Sequence, residues 1–287
     1  MKPLTLATRG SKLARIQAGL VKEALETVGA SVELLEVSTR GDRDQKNPLI
    51  QIGGRGLFVK EVETCLLEGR ADLAVHSGKD LPYQIAEGLV VAGVPAAASP
   101  EDVLVLGPGK TEAQEDLNII GTGSPRREVQ CKQFYPEALY QNIRGNVDTR
   151  LQKLRDGKYD AILLAAAGLE RLQPDLTGLT LKPFSTKQFV PSACQGLLAV
   201  ECREEDTELR SLLQSISDPH SARRFAVERY MFSLLEADCT VPLGVHAEVS
   251  LDENLYTITA LYDKKKETRQ GTDYQSLCKE LQKALLP

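Results

Sequence analysis

Twice along this chain a short apolar strand runs into a threonine, a Gly-Ser turn and a helix that opens on basic residues: LATRGSKLARIQ (Leu6 to Gln17) and IIGTGSPRREVQ (Ile119 to Gln130). A second echo follows each, EGRADLAV (Glu68 to Val75) and DGKYDAIL (Asp156 to Leu163), again a helix end, a glycine and a strand. Strands that alternate with helices build a sheet with parallel neighbours and helices on its faces. The chain is therefore expected to form two similarly built α/β lobes, with their boundary near Ala96 to Pro100.

Within the first lobe, strands are expected over Pro3 to Thr8, Val32 to Thr39, Ala71 to Val75 and Leu89 to Pro95, with helices from Ser11, as N-cap, to Gly29 and over Phe58 to Glu68. The Gly- and Asp-rich stretch from Thr39 to Gly56 is too long for a simple connector and reads as a binding loop or lid. The apolar run within Phe184 to Val200 is expected to return to the first lobe's sheet, and helices follow over Asp206 to Ser215 and Asp218 to Ala237. Val245 to Leu251 and Leu255 to Tyr262 read as paired strands closed by a helix over Tyr274 to Leu286, a small α+β unit.

The chemistry concentrates at strand ends. Val75 to Pro82 reads VHSGKDLP, so Ser77, Lys79 and Asp80 stand just past the carboxyl end of an apolar strand, where open α/β sheets bind ligands. Arg126, Arg127, Arg144 and Arg150 fall within a few residues of expected strand ends or helix starts. Two adjacent arginines in a first helical turn oppose the helix dipole, so something negative is expected beside them. Arginine forks and free N–H groups at Thr122-Gly123-Ser124 suit carboxylate and phosphate alike. With neither GxxxxGK[ST] nor GxGxxG after a strand, nucleotides are disfavoured and a small polycarboxylate is the reading preferred.

Composition confines that anion site to a local feature. A net charge of −5 over 287 residues gives no global attraction to nucleic acid or anionic membrane. No apolar run approaches the ~18 residues of a membrane span, and the N-terminus has no apolar leader, so a cytoplasmic protein is expected. Six cysteines show no metal-ligand spacing. Cys65 and Cys278 occupy apolar helical positions and read as inert buried thiols, whereas Cys239, in a Pro/Gly-bounded loop, invites a chemical reading. His76, His220 and His246 read as structural or exposed.

Taken together, the motifs resemble one family nearly from end to end: ATRGS (Ala7 to Ser11), STRGD (Ser38 to Asp42), GGRGLFVKEVE (Gly53 to Glu63), ADLAVHSGKDLP (Ala71 to Pro82), GTGSPRR (Gly121 to Arg127), IRGNVDTRL (Ile143 to Leu151), AAAGLERL (Ala165 to Leu172), CQGLLAVECR (Cys194 to Arg203) and LEADCTVPLG (Leu235 to Gly244). The family is porphobilinogen deaminase, or hydroxymethylbilane synthase. The resemblance implies two periplasmic-binding-protein-like lobes with mixed, mainly parallel sheets and a small α+β C-terminal domain. Residues 1–96 with 188–210 would form the first lobe, 97–187 the second and 216–287 the C-terminal domain.

It also implies a transferase that condenses four porphobilinogens head to tail onto a covalent dipyrromethane primer, releasing ammonia and then the linear tetrapyrrole. The primer would hang from Cys239 by a thioether, and Asp80 would be the catalytic carboxylate that holds pyrrole N–H groups and stabilises an azafulvenium-like cation. Arg9, Ser11, Ser77, Lys79, Thr122, Ser124, Arg126, Arg127, Arg144, Arg150, Arg171 and Gln195 match positions that bind cofactor and substrate, and Lys60 one that helps close the site. A monomer that passes its product to uroporphyrinogen-III synthase, with no nucleic-acid or membrane partner, is the implied setting. A two-lobed binding module for an anionic metabolite, without chemistry, is the alternative. Gly78, Gly123, Pro125 and Cys194 depart from the family's usual residues, as does SPED (Ser99 to Asp102).

Overall fold

The N-cap at Ser11 fixes how the first strand becomes a helix: its side chain accepts a hydrogen bond from Ala14 N at 3.3 Å, which satisfies one of the orphan donors of the first turn. The computed structural model describes residues 3–39, 59–235 and 241–286. In chain order these form β1 (Leu4–Arg9), α1 (Lys12–Thr27), β2 (Val32–Val37), α2 (Lys60–Leu67), β3 (Leu73–Ser77), β4 (Leu89–Gly93), β5 (Asp102–Leu106), β6 (Ile119–Gly121), α3 (Pro125–Cys131), β7 (Leu139–Gln141) and α4 (Val147–Arg155). There follow β8 (Ala161–Ala165), α5 (Ala166–Leu172), β9 (Thr180–Phe184), β10 (Leu198–Arg203), α6 (Thr207–Ser215), α7 (Pro219–Leu235), β11 (Leu243–Ser250), β12 (Leu255–Tyr262), β13 (Lys265–Gly271) and α8 (Tyr274–Leu285).

Two five-stranded sheets share one blueprint, with orders β2-β1-β3-β10-β4 and β7-β6-β8-β5-β9. In each, the strand next to one edge runs antiparallel to both neighbours. That strand always arrives from the other lobe: β5 follows β4 of the first sheet, and β10 follows β9 of the second. The expected return of the chain to the first sheet is thus β10. Every residue of β5 is buried, as the apolar run VLVL (Val103 to Leu106) after Asp102 requires of a strand covered on both faces.

On one face of the first sheet Ala18, Val21 and Leu25 of α1 meet Leu209 and Leu213 of α6, and on the other lie Val62, Cys65 and Leu66 of α2. In the second lobe Cys131 of α3 and Phe184 cover one face, with Leu151, Leu154 and Leu169 on the other. The third sheet is the antiparallel meander β11-β12-β13, with α7 and α8 packed against it. Its last strand escapes a periodicity reading because KKETRQG is an edge strand without an apolar face. Cys65 and Cys278 are fully buried, as their helical positions predict.

The two crossovers touch where they pass between the lobes. Ala98 N donates to Gly196 O at 3.1 Å, and Gln195 Nε2 donates to Pro100 O at 2.7 Å. This clasp lies beside the turn that carries Asp80, since Gly78 N donates to Leu197 O at 2.9 Å.

Candidate active site

Asp80 sits on a single 3-10 turn, Gly78–Asp80, that ends β3. The neighbouring strand β1 is parallel to β3, so its own carboxyl end delivers Arg9 and Ser11 to the same edge. Arg9, Gln17, Val59, His76, Ser77 and Asp80 line one pocket there. Ser77 is held by Gln17, whose Nε2 lies 2.8 Å from Ser77 Oγ. Behind the turn, the buried His76 Nε2 is 2.8 Å from Glu201 Oε2 of β10. Glu63 of α2 is buried nearby, and its carboxyl is pushed up first by burial and then by Glu201. Lys60 begins α2, at the close of the expected long loop.

The second lobe supplies the cations. Thr122 and Ser124 follow β6, and Ser124 caps α3 by accepting from Arg127 N. Arg126 and Arg127 are both buried, and the negative group beside them is Asp102, the first residue of β5. Arg126 Nη1 and Nη2 donate to its two oxygens at 2.6 and 3.2 Å, and Arg127 Nε donates to Oδ1 at 2.8 Å. The remaining bonds run to backbone, from Arg126 Nη1 to Val190 O and from Arg127 Nη1 to Leu163 O. Burial raises the carboxyl pKa of Asp102, but Arg126 and then Arg127 outweigh it and hold the group well below the usual range. The expected anion beside these arginines is therefore in the first instance a residue of the chain.

Lys79 joins the two halves. Its ammonium lies 3.5 Å from Gln195 Oε1. Burial foremost, then Arg127, lowers its pKa from 10.5 to about 8, against the pull of Asp80 and Asp102. Beyond Arg127 stand Arg150 and Arg144. Arg150 donates from Nε to Gly145 O at 2.8 Å and is lowered to about 10 by burial, then by Arg127 and Arg144. Arg144 Nη1 is buried without a hydrogen-bond partner among the described residues. A buried guanidinium nitrogen lacking an acceptor costs on the order of 1–3 kcal/mol or more, so this corner suits an acid-bearing ligand.

Arg171 lies apart from that corner: its Nη2 donates to Gly196 O at 2.6 Å and so braces the crossover. Gln195 is likewise engaged with Pro100 O and Glu101 O. Cys239 lies outside the described residues, as does most of the long loop from Thr39 to Gly56. Asp102, Gln17 and the His76–Glu201 pair are components that motif reading passed over. Of these only Asp102 left a trace, through the demand that two adjacent cations at a helix start make for a counter-ion.

Residues 4–211 match the family described as "Porphobilinogen deaminase, dipyromethane cofactor binding domain". The chain belongs to the porphobilinogen deaminase family. The porphobilinogen deaminase of Streptococcus sanguinis (strain SK36) is 42% identical over 255 residues, which cover 86% of this chain and 83% of that protein. That of Maridesulfovibrio salexigens (strain ATCC 14822 / DSM 2638 / NCIMB 8403 / VKM B-1763) is 40% identical over 258 residues, covering 88% and 82%. Among solved structures, the second substrate binding domain of a putative amino acid ABC transporter from Streptococcus pneumoniae aligns with a TM-score of 0.46 at 12% identity, over 75% of this chain and 91% of that one. A likeness that distant carries no functional argument. As a member of the porphobilinogen deaminase family the chain is a transferase with a dipyrromethane-binding domain, and this favours the enzyme over a binding module without chemistry. None of its helices, among the described residues, is long and apolar enough to cross a membrane.

Proposed function

We propose that this chain is a hydroxymethylbilane synthase that works as a cytoplasmic monomer and passes its product to a uroporphyrinogen-III synthase. The observation that carries the reading is the placement of one carboxylate, Asp80, at a strand end beside a row of buried and half-buried cations, of which Arg144 keeps one buried nitrogen without a partner among the described residues. Porphobilinogen and its oligomers carry an acetate and a propionate on every ring, so such a row is what they require.

In this reading Arg9, Ser11, Lys79, Thr122, Ser124, Arg144 and Arg150 hold the ring carboxylates, with Arg126 and Arg127 kept in place by Asp102. Ser77, fixed by Gln17, borders the rings. Arg171 and Gln195 act from the crossover, and Lys60 from the start of α2. When bound through Cys239, the dipyrromethane group supplies the free pyrrole α-carbon onto which each unit is added.

Asp80 does the electrostatic work. As the substrate's exocyclic C–N bond breaks and ammonia leaves, positive charge spreads over the substrate ring. The Asp80 carboxylate accepts the ring N–H and offsets that charge, an oxyanion-hole arrangement with the sign reversed. The new C–C bond would join that methylene carbon to the free pyrrole α-carbon, and the proton would be lost from that α-carbon. We assign residues 1–96 and 188–210 to the lobe that carries Asp80, 97–187 to the cation-bearing lobe and 216–287 to the domain that carries the tether.

Incubation with porphobilinogen followed by oxidation is expected to yield the absorption spectrum of uroporphyrin. Asp80→Asn is expected to fold normally and lose turnover by about 1,000-fold, the scale of a deleted charge-stabilising group. Lack of any porphyrin from the parent protein would overturn the proposal, and full turnover in Asp80→Asn would remove Asp80 from its central role.

A further inference from the structure

The turn that carries Lys79 and Asp80 begins at Gly78, and a methyl group on that glycine would stand 2.9 Å from Cys194 Cβ. Carbon atoms pack at about 3.5–4.0 Å, so the two side chains exclude each other. Cys194 is buried and holds a left-handed backbone with φ of 60°, a conformation that costs a residue other than glycine. A methyl on Gly78 would also press on Cys194 O at 3.2 Å and Leu197 O at 3.3 Å, and positions 78 and 194 thus share one tight volume for a single side chain. In this chain it enters from position 194, in spite of the backbone strain there.

The surroundings say what that side chain supports. Cys194 N donates to the fully buried Glu228 Oε2 at 2.5 Å, and Arg224 Nη2 donates to Gln195 O at 2.6 Å, so α7 fixes this segment from below. From above, Gly78 N rests on Leu197 O at 2.9 Å, and Lys79 reaches Gln195 at 3.5 Å. Residues 194–197 form a platform that meets the first residue of the Asp80 turn through Leu197 O and through the Cys194 side chain.

We propose that Cys194 is a positioning residue for Asp80, matched in size to Gly78, and that the pair sets how the catalytic turn sits on its platform. The proposal rests on the role given to Asp80 above. Because Gly78 is two residues from Asp80 on one tight turn, displacing it by a fraction of an ångström moves the carboxylate against the charge it must offset.

The test compares four cofactor-loaded proteins: the parent, Gly78→Ala, Cys194→Gly and the double variant. At saturating porphobilinogen, and per folded molecule, Gly78→Ala is expected to lose about tenfold or more in kcat, and an ångström-scale misplacement can cost about 100-fold. Cys194→Gly, which removes the support but relieves the backbone, is expected to lose a few-fold, on the order of 3. The double variant is expected to recover to within about threefold of the parent, because only one side chain again competes for the space.

A double variant as slow as Gly78→Ala would overturn the proposal, as would a Gly78→Ala enzyme of parental kcat. Should Gly78→Ala fail to fold, a folded and active double variant supports the pairing, and an unfolded one overturns it. Urea midpoints of the same proteins separate packing from function. Coupling in the midpoints without coupling in kcat would remove the positioning role and leave Asp80 untouched, whereas turnover retained by Asp80→Asn would remove the reading of Asp80 itself.

Discussion

At the scale of single residues, the deciding quantity is how each buried charge is compensated. Asp102 is fully buried and serves Arg126 and Arg127 together. Replacing it by asparagine leaves two buried guanidiniums short of a counter-charge, and such losses cost about 3–5 kcal/mol. Urea denaturation of Asp102→Asn should show a midpoint lowered accordingly, and an unchanged midpoint would contradict this account. Because its carboxyl is held below the usual range, the stability it contributes is complete above an ordinary carboxylate pKa of about 4 and drains only as pH falls below it. Lys79 has the opposite sign. With its pKa lowered from 10.5 to about 8, the unfolded chain binds a proton that the folded one lacks between those values, so this group's contribution to stability grows with pH across that window. Its charge at the site is lost over the same range. KM for porphobilinogen should therefore climb above pH 8 or thereabouts, and Lys79→Gln should raise KM at neutral pH and abolish the climb; a parallel alkaline rise in the variant would place its origin elsewhere.

At the scale of elements, the double crossover is the part that tolerates least. Gly196 has φ of 88°, and a Cβ there would stand 2.4 Å from Ala98 O and 2.9 Å from Ser99 O. Neither atom can rotate away, since both belong to the other crossover's backbone. Gly196→Ala should lose about 3 kcal/mol or more from backbone strain and clash together, read as a fall in the urea midpoint. Arg171 Nη2 of α5 donates to Gly196 O, so a shift of the residue 196 backbone also disturbs that brace. By contrast, the Lys12–Asp148 contact between α1 and α4, at 3.7 Å and largely exposed, is worth little. The lobes are joined by backbone clasps more than by surface charge.

At the scale of the whole molecule, the C-terminal sheet is wired to the Asp80 turn through α7. Glu228 binds Cys194 N on one side and Ala247 N of β11 on the other, and Arg229 donates to Leu81 O and Tyr83 O just after Asp80. These bonds fix α7 to the segment around Asp80; Cys239, which follows α7 in the chain, lies outside the described residues. A group bound only by the native state stabilises it by mass action or, when covalent, by holding the lobes together. Cys239→Ser should give an intact mass without the two pyrrole units carried by the parent and a lower melting temperature. Equal melting curves would contradict the coupling between cofactor and fold.

How much of this was open to a reader of the sequence follows from what each kind of signal encodes. Periodicity and caps located α1, α2, α8 and the strand that ends at Ser77, because those depend on neighbours within a few residues. It left out β5, β7, β9 and β13, three of them edge strands whose partners supply the order that their own residues do not. Motifs put Asp80 just past a strand end and the arginines within a few residues of strand ends or helix starts, and so pointed to an anion site. Only the tertiary structure decided which cation answers to which acid, that Asp102 rather than a ligand faces Arg126 and Arg127, and that Gly78 and Cys194 compete for one space. Those pairings join residues far apart in the chain, and they exist because two crossovers bring strands of one lobe into the sheet of the other. Local sequence specifies elements and side-chain chemistry; the topology that sets distances between them is a property of the packed whole.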